Sequence, residues 1–141
     1  MKSFFIAILG FVLFTTLELT AQTSQGPKNG AVIAFAETSH DFGDLVQGQK
    51  VEYIFKFKNS GTEPLIVKEV ITTCGCTATE WSKQPIAPNK EGEIKATFNS
   101  DGKMGRQNKV ITILSNATNN MATVSIVCNV LPASVPAPTT K

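Results

Sequence analysis

The chain has 141 residues, with 13 basic and 11 acidic side chains and a formal net charge of +2. This balance excludes the dense basic surface that nucleic-acid binding requires, and no acidic run points to a cationic ligand. The length is close to that of one ordinary domain, which disfavours a multidomain architecture.

The first segment, residues 1–21, has the layout of a secretory signal peptide. Lys2 precedes an apolar run over residues 4–17, and Ala21 offers a small residue for cleavage. The apolar run of about 14 residues is shorter than the roughly 20 that a membrane-spanning helix needs. We therefore expect the segment to be removed on export and to leave no membrane span. The product is expected to be extracytoplasmic, in the periplasm, at the cell surface or secreted.

Composition divides the remaining chain into a core and two flanks. Residues 22–30 are polar and contain proline and glycine, which predicts a disordered leader. Residues 132–141 are rich in proline, alanine and threonine and predict a disordered tail. The folded domain is therefore expected over residues 31–131.

Hydrophobic residues in this core recur with a period of two, which is typical of half-buried strands. The strand predicted over residues 51–58 has one apolar face, formed by Val51, Tyr53, Phe55 and Phe57. Ile54 is its one apolar residue on the opposite face, and residues 93–98 and 124–130 repeat the pattern. Strands covered more completely are expected where β-branched residues are dense, at residues 31–36, 65–72 and 109–114.

Short clusters of glycine, proline, asparagine and aspartate separate these runs and predict turns, one of them at residues 41–44. No part of the core has a convincing helical pattern. About seven short strands without helical crossovers predict an all-β fold, an immunoglobulin-like antiparallel β-sandwich.

Two of the three cysteines, Cys74 and Cys76, flank Gly75 at the end of an apolar run. They could form a local disulfide, chelate a soft ion such as Cu(I) or Zn(II), or pack at a structural corner. Because glycine permits a tight backbone and export implies an oxidising environment, we predict a Cys74–Cys76 disulfide in at least part of the exported population. A closed zinc site would need further ligands, and only Cys128 and His40 could supply them.

The third cysteine, Cys128, lies in the last predicted strand. In an immunoglobulin order, that strand runs parallel to the strand before Cys74, with residues 109–114 between them. Two strand spacings amount to about 9 to 10 Å, whereas a disulfide needs Cα atoms within about 7 Å. We therefore expect Cys128 to be a small buried apolar side chain.

No catalytic constellation is evident. His40, the single histidine, falls in a predicted turn, where a capping or packing role is favoured over that of a general base. The chain lacks the HExxH, GxSxG and phosphate-loop motifs, and its acidic residues are scattered. We therefore expect no enzymatic activity and no cofactor. Trp81 is expected to pack over the loop that leaves the Cys-Gly-Cys segment.

The order of these features resembles the bacterial DUF1573 family. Two motifs carry the resemblance: His40, Asp41, Phe42 and Gly43, and then Cys74, Gly75, Cys76 and Thr77. Residues 57–61 and 85–88 continue it, although Asn89 stands where the family usually has glycine, and Cys128 also replaces a glycine.

The family is similar to the ASH, MSP and PapD-like immunoglobulin-type domains, which act in binding and assembly. The resemblance implies an exported, non-enzymatic module that binds another protein through a sheet edge or end loops. The alternative is an extracytoplasmic thiol-redox or soft-metal-binding protein that uses Cys74 and Cys76.

Overall fold

The computed structural model describes residues 29–133, which form eight β-strands and no helix. The strands are β1 (Ile33–Phe35), β2 (Ser39–Val46), β3 (Lys50–Asn59), β4 (Val67–Thr72), β5 (Thr77–Trp81), β6 (Glu91–Asn99), β7 (Gly105–Ser115) and β8 (Met121–Leu131). The predicted signal peptide, most of the leader and most of the tail lie outside the described residues. None of the elements within residues 29–133 is a helix long and apolar enough to cross a membrane.

The strands form two four-stranded sheets, which confirms the predicted sandwich. The first sheet has the order β1-β3-β6-β5, and the second has the order β2-β8-β7-β4. β7 is antiparallel to both β4 and β8, so the strand before Cys74 runs parallel to the last strand, as predicted. β2 closes the second sheet by pairing in parallel with β8.

The core lies between the two sheets and is filled by the inward positions of the alternating strands. Phe55, Ile94 and Phe98 of the first sheet and Ile111 and Ile126 of the second are each 0% exposed. The period-two prediction is confirmed in β3, where Phe57 is also buried while Ile54 on the other face is 43% exposed. The remaining members of the predicted face, Val51 and Tyr53, pack against the edge of the core.

The predicted turn at residues 41–44 is wrong, because these residues lie inside β2. The pairing register with β8 shifts between Asp41 and Asp44, which marks a β-bulge. Gly43 has a φ of 69° there, and its backbone N–H donates to the Asp41 carboxylate at 2.8 Å. The bulge therefore uses the same residue types as a turn. Only the pairing with β8 distinguishes a bulge from a turn, and the sequence of residues 41–44 does not show that pairing.

The expectation that residues 65–72 form a fully covered strand is also wrong. β4 is an edge strand of the second sheet, and Ile71 is 45% exposed. β-branched residues indicate a strand, but they do not show whether another strand lies beside it. Asn89, which stands where the family usually has glycine, has a φ of 64° in the left-handed region that asparagine also tolerates.

Candidate functional site

The Cys-Gly-Cys segment forms a corner where the chain passes from one sheet to the other. It joins β4 of the second sheet to β5 of the first. Cys74 and Cys76 are linked by a disulfide with a Cα–Cα distance of 5.3 Å. Both cysteines are partly exposed and Gly75 between them is exposed. Cys76 also packs in part against the hydrophobic core, so the disulfide lies where the surface of the sandwich meets its core.

Hydrogen bonds hold the corner independently of the disulfide. The Thr72 hydroxyl lies 3.1 Å from the carbonyl oxygen of Cys74 and 3.3 Å from that of Thr77, and can donate to either. The backbone N–H of Thr77 also donates to the Cys74 carbonyl at 3.4 Å, and Asn99 N–H donates to the Cys76 carbonyl at 2.9 Å. The corner is therefore tied to β6 through backbone groups as well as closed by sulfur.

Gly75 differs from the glycines that the fold requires. Its φ lies outside the left-handed region, and a Cβ built on it meets no atom within 4 Å. Gly61, by contrast, would place a Cβ against the backbone of Gly30 and Val32. The backbone of the corner thus does not depend on glycine in the way that we expected, and apart from Cys74 and Cys76 no residue lies within 4 Å of a Cβ at this position.

Cys128 is separate from the corner. Cys128 lies in β8 and is 1% exposed. Its thiol is free and belongs to the hydrophobic core, in agreement with the expected packing role. Burial raises the pKa of this thiol, and the negative charge of Asp41 raises it further. A neutral, buried thiol is a poor nucleophile.

The structure assembles no metal centre from the described residues. Within residues 29–133, no group of three or more histidine, cysteine, aspartate or glutamate side chains is placed to hold a metal ion. Cys74 and Cys76 are joined to each other, so neither offers a thiolate in this state. His40 lies in β2, at the opposite edge of the second sheet from β4.

His40 is part of an aromatic cluster between the two sheets. Its ring stacks on Tyr53 with centroids 3.6 Å apart and meets Phe42 edge-on at 4.7 Å. Its Nδ1 atom lies 3.6 Å from the Glu37 carboxylate. Tyr53 donates its hydroxyl hydrogen bond to the same carboxylate, which raises the pKa of the tyrosine. The expected packing role of His40 fits this position, whereas a turn cap does not.

The outer face of the first sheet is charged. Lys95 lies 3.2 Å from Glu52, and Lys56 lies 4.0 Å from Glu93. The hydrogen bond from Lys95 lowers the pKa of Glu52, with a further contribution from Thr97. Cross-strand ion pairs of this kind keep a sheet face soluble and discourage apolar contacts.

The outer face of the second sheet is different, because its central cross-strand rows carry no charge. Alternation and pairing register place two such rows on this face, formed by Ile71, Thr112 and Thr123 and by Val110 and Ser125. The next row joins Glu69, Leu114 and Met121, so the exposed Glu69 carboxylate borders the uncharged rows, and Met121 is 65% exposed. We call this surface the neutral face. This surface was not predicted from the sequence, although the uncharged outward positions of residues 109–114 indicate an uncharged strand face.

The neutral face ends at an open strand edge. β4 pairs with β7 on one side, and no strand within residues 29–133 lies along its other side. Thr73 N–H donates to the Val110 carbonyl at 3.3 Å. Because antiparallel residues alternate, Val70 and Thr72 direct their backbone groups away from β7. β4 therefore offers unpaired donors and acceptors beside the exposed side chain of Ile71.

Trp81 ends β5 and is half-buried against the core. The Lys83 ammonium lies 3.4 Å from the centre of its ring, and the indole N–H is buried without a partner among the described residues. Trp81 therefore packs against the core, but it does so from the end of a strand, because β5 takes the place of the loop that we expected after the Cys-Gly-Cys segment.

A model of the DUF1573 family, described as a protein of unknown function, matches residues 33–130. The chain belongs to this family. The predicted resemblance is therefore confirmed. The structure places the two halves of the DUF1573 motif on different edges of the second sheet, with residues 40–43 in β2 and residues 74–77 after β4. No curated protein matches the chain.

Several solved structures share the fold. A protein of unknown function from Porphyromonas gingivalis aligns with a TM-score of 0.63 and 16% identity over 77% of this chain and 51% of that chain. The ASH/PapD-like domain 7 of human CEP192 aligns with a TM-score of 0.59 and 10% identity, over 85% and 98% of the two chains. The secreted serine protease VesC of Vibrio cholerae aligns with a TM-score of 0.56 and 13% identity, over 77% and 24%.

At these identities the likeness shows the fold alone. The chain spans about half the length of the Porphyromonas gingivalis protein.

Proposed function

We propose that this DUF1573 domain is an exported, non-enzymatic module that binds an extended segment of another protein. The segment pairs with β4 and covers the adjacent part of the neutral face. The observation that carries the proposal is the contrast between two isoleucines of similar exposure. Ile71 is 45% exposed beside an open edge and an uncharged surface, whereas Ile54 is 43% exposed among the ion pairs of the first sheet.

An open edge strand favours pairing with an extended chain, because its outward N–H and C=O groups lack partners in the sheet. β4 supplies such groups at Val70 and Thr72, and a paired segment would extend the second sheet by one strand. Side chains of that segment on the outer side would lie beside Ile71. A predominantly apolar segment fits there, since a charged side chain would lose water over the two uncharged rows without gaining a counter-ion within them.

Export of the domain is part of the same proposal. The signal-peptide pattern of residues 1–21 and the exposed Cys74–Cys76 disulfide both support an oxidising, extracytoplasmic location. A non-enzymatic role fits the position of His40, the only imidazole of the chain, whose ring packs on Tyr53.

Photo-crosslinking in the native cell tests the binding surface. A photo-reactive amino acid at Thr112, the neighbour of Ile71 on the neutral face, is expected to give a discrete protein adduct. Ile71→Lys should weaken that adduct about tenfold or more, because binding would then remove an ammonium group from water over an uncharged row. Gel analysis of the adduct yield, normalised to the amount of folded domain, gives the comparison.

Ile54→Lys is the matched control, since it adds the same charge at a site of similar exposure on the charged sheet. It should leave the adduct yield at Thr112 unchanged. Equal losses from the two variants, or an adduct that persists in Ile71→Lys, would show that the neutral face is not the binding surface.

Processing of the N-terminus provides a separate test of export. Mass spectrometry of the protein recovered outside the cytoplasm is expected to show a first residue near Gln22. Recovery of the chain with Met1 and the whole apolar run intact would contradict the proposed export signal.

A further inference from the structure

The corner between β4 and β5 has the properties of a reactive rather than a structural disulfide. A disulfide across two residues closes a very short loop, so it removes little entropy from the unfolded chain. The hydrogen bonds of Thr72, Thr77 and Asn99 hold the backbone of the corner without it. Breaking the S–S bond should therefore leave the surrounding strands in place.

Gly75 indicates access for another molecule. Neither its φ nor its packing requires glycine, because a Cβ would meet no atom within 4 Å. Gly75 is exposed, and no residue of the described domain other than Cys74 and Cys76 covers it, so another molecule can approach the corner on this side. Thiol–disulfide exchange needs such an opening, since the attacking sulfur must reach one of the two sulfur atoms directly.

The two sulfur atoms have different surroundings. The Thr77 hydroxyl lies 3.9 Å from Cys74 Sγ, and because a disulfide sulfur carries no proton, the hydroxyl is the donor of this weak hydrogen bond. When the S–S bond breaks, the same hydroxyl can donate to a thiolate on Cys74. Stabilisation of the thiolate makes Cys74 the better leaving group.

We infer that the Cys74–Cys76 disulfide is a thiol–disulfide exchange site for a dithiol of another protein, with Cys76 as the sulfur that is attacked. The accessible disulfide, the open space at Gly75 and the hydroxyl beside Cys74 together carry this inference. It goes beyond the binding module proposed above and does not depend on the neutral face.

The reaction is balanced with the partner dithiol as reductant. A thiolate of the partner attacks Cys76 Sγ, the S–S bond breaks, and its electron pair leaves on Cys74 Sγ. The second thiolate of the partner then attacks the partner's own sulfur in the mixed disulfide and releases Cys76. The partner is oxidised to a disulfide, Cys74 and Cys76 are reduced to thiols, and the two protons lost by the partner are taken up by the cysteines.

Trapping with glutathione, a monothiol, tests which sulfur is attacked. The oxidised, exported protein is exposed briefly to glutathione, quenched with acid, alkylated and mapped by mass spectrometry. We expect the glutathione adduct on Cys76 and the alkyl group on Cys74 in at least about a threefold excess over the reverse arrangement. Thr77→Val, which removes the hydroxyl at nearly constant volume, should abolish this preference.

Access is tested with a short unstructured peptide that carries two cysteines. Gly75→Val should slow oxidation of the peptide about tenfold, while Gly75→Ala should stay within about twofold of the natural protein. In neither variant does the Cβ meet an atom of any residue beyond Cys74 and Cys76 within 4 Å, and neither requires a left-handed backbone, so both variants should keep the thermal unfolding midpoint.

Cys128 serves as an internal reporter of unfolding, because it is buried and free. It should remain unalkylated while Cys74 and Cys76 react. Alkylation of Cys128 at the same rate would mean that reduction occurs through the unfolded chain and would overturn the inference. An equal distribution of glutathione between the two cysteines, or equal rates for Gly75→Val and the natural protein, would also overturn it.

Discussion

Replacing Phe55 with alanine is expected to lower the free energy of unfolding by about 3 to 5 kcal/mol. The Phe55 side chain is 0% exposed at the centre of β3, where its ring meets that of Tyr53 edge-on at 4.8 Å. Removal of the ring would lose the favourable free energy of transferring it from water into the core. It would also leave a cavity that the two packed sheets can fill only in part. Urea denaturation with a constant m-value would measure the change.

Lys56→Ala is the control, because it changes the next residue of the same strand on the opposite face. Lys56 is exposed, and its ammonium lies 4.0 Å from Glu93, a distance at which a surface ion pair contributes little. The substitution should change the free energy of unfolding by no more than about 0.5 kcal/mol. Similar losses from both variants would contradict the assignment of the two faces of β3.

The central strands could be predicted from the sequence because each has one buried face and one exposed face. In β3, β6 and β8 the alternation of apolar and polar residues reports burial directly, and the inward residues are those that the period predicts. The parallel arrangement of β4 and β8 was predicted from the immunoglobulin strand order. That order specifies which distant strands are neighbours, and periodicity alone does not.

Strands β2 and β5 were missed for physical reasons. β2 contains a bulge whose residues, Asp41 and Gly43, are those of a turn, and its pairing partner lies in the last strand of the domain. β5 follows directly on the Cys-Gly-Cys corner and ends at Trp81. Nothing in its short, mixed pattern distinguishes a strand from a loop without knowledge of β6 beside it.

The candidate sites were predictable to different degrees. The Cys-Gly-Cys motif lies in one short stretch, so it can be found from the sequence alone. The structure adds its position between two edge strands. The neutral face brings together Ile71, Thr112 and Thr123 from three strands, and their adjacency depends on register. Register arises from the whole fold, which is why single-sequence reasoning could not assemble that surface.

The second large effect is expected at Asn59, a buried side chain that joins separate loops. Its Oδ1 atom accepts hydrogen bonds from the backbone N–H groups of Val32 at 3.3 Å and Gly61 at 3.0 Å. Its amide nitrogen donates to the carbonyl oxygens of Glu63 at 2.7 Å and Ile86 at 2.9 Å. Asn59 is 0% exposed, so bulk water does not reach the amide group that makes these four hydrogen bonds.

Asn59→Asp is expected to lower the free energy of unfolding by at least about 3 kcal/mol at neutral pH, since it removes the donor to the carbonyls of Glu63 and Ile86 and sets a buried carboxylate against them. Burial beside carbonyls should raise the pKa of the new carboxyl in the folded state above its unfolded value. Protonation would then favour the fold, so the loss should be smaller near pH 4 and grow as the pH rises through the folded-state pKa.

Asn99→Asp provides the comparison for this last test. The Asn99 side chain is only partly buried, and its Oδ1 atom accepts a hydrogen bond from Asp101 N–H at 3.1 Å, which a carboxylate oxygen also accepts. Asn99→Asp should therefore change the free energy of unfolding by no more than about 0.5 kcal/mol. A loss at Asn59 that matched the loss at Asn99, or that did not change with pH, would show that the four hydrogen bonds do not stabilise the loops as the geometry implies.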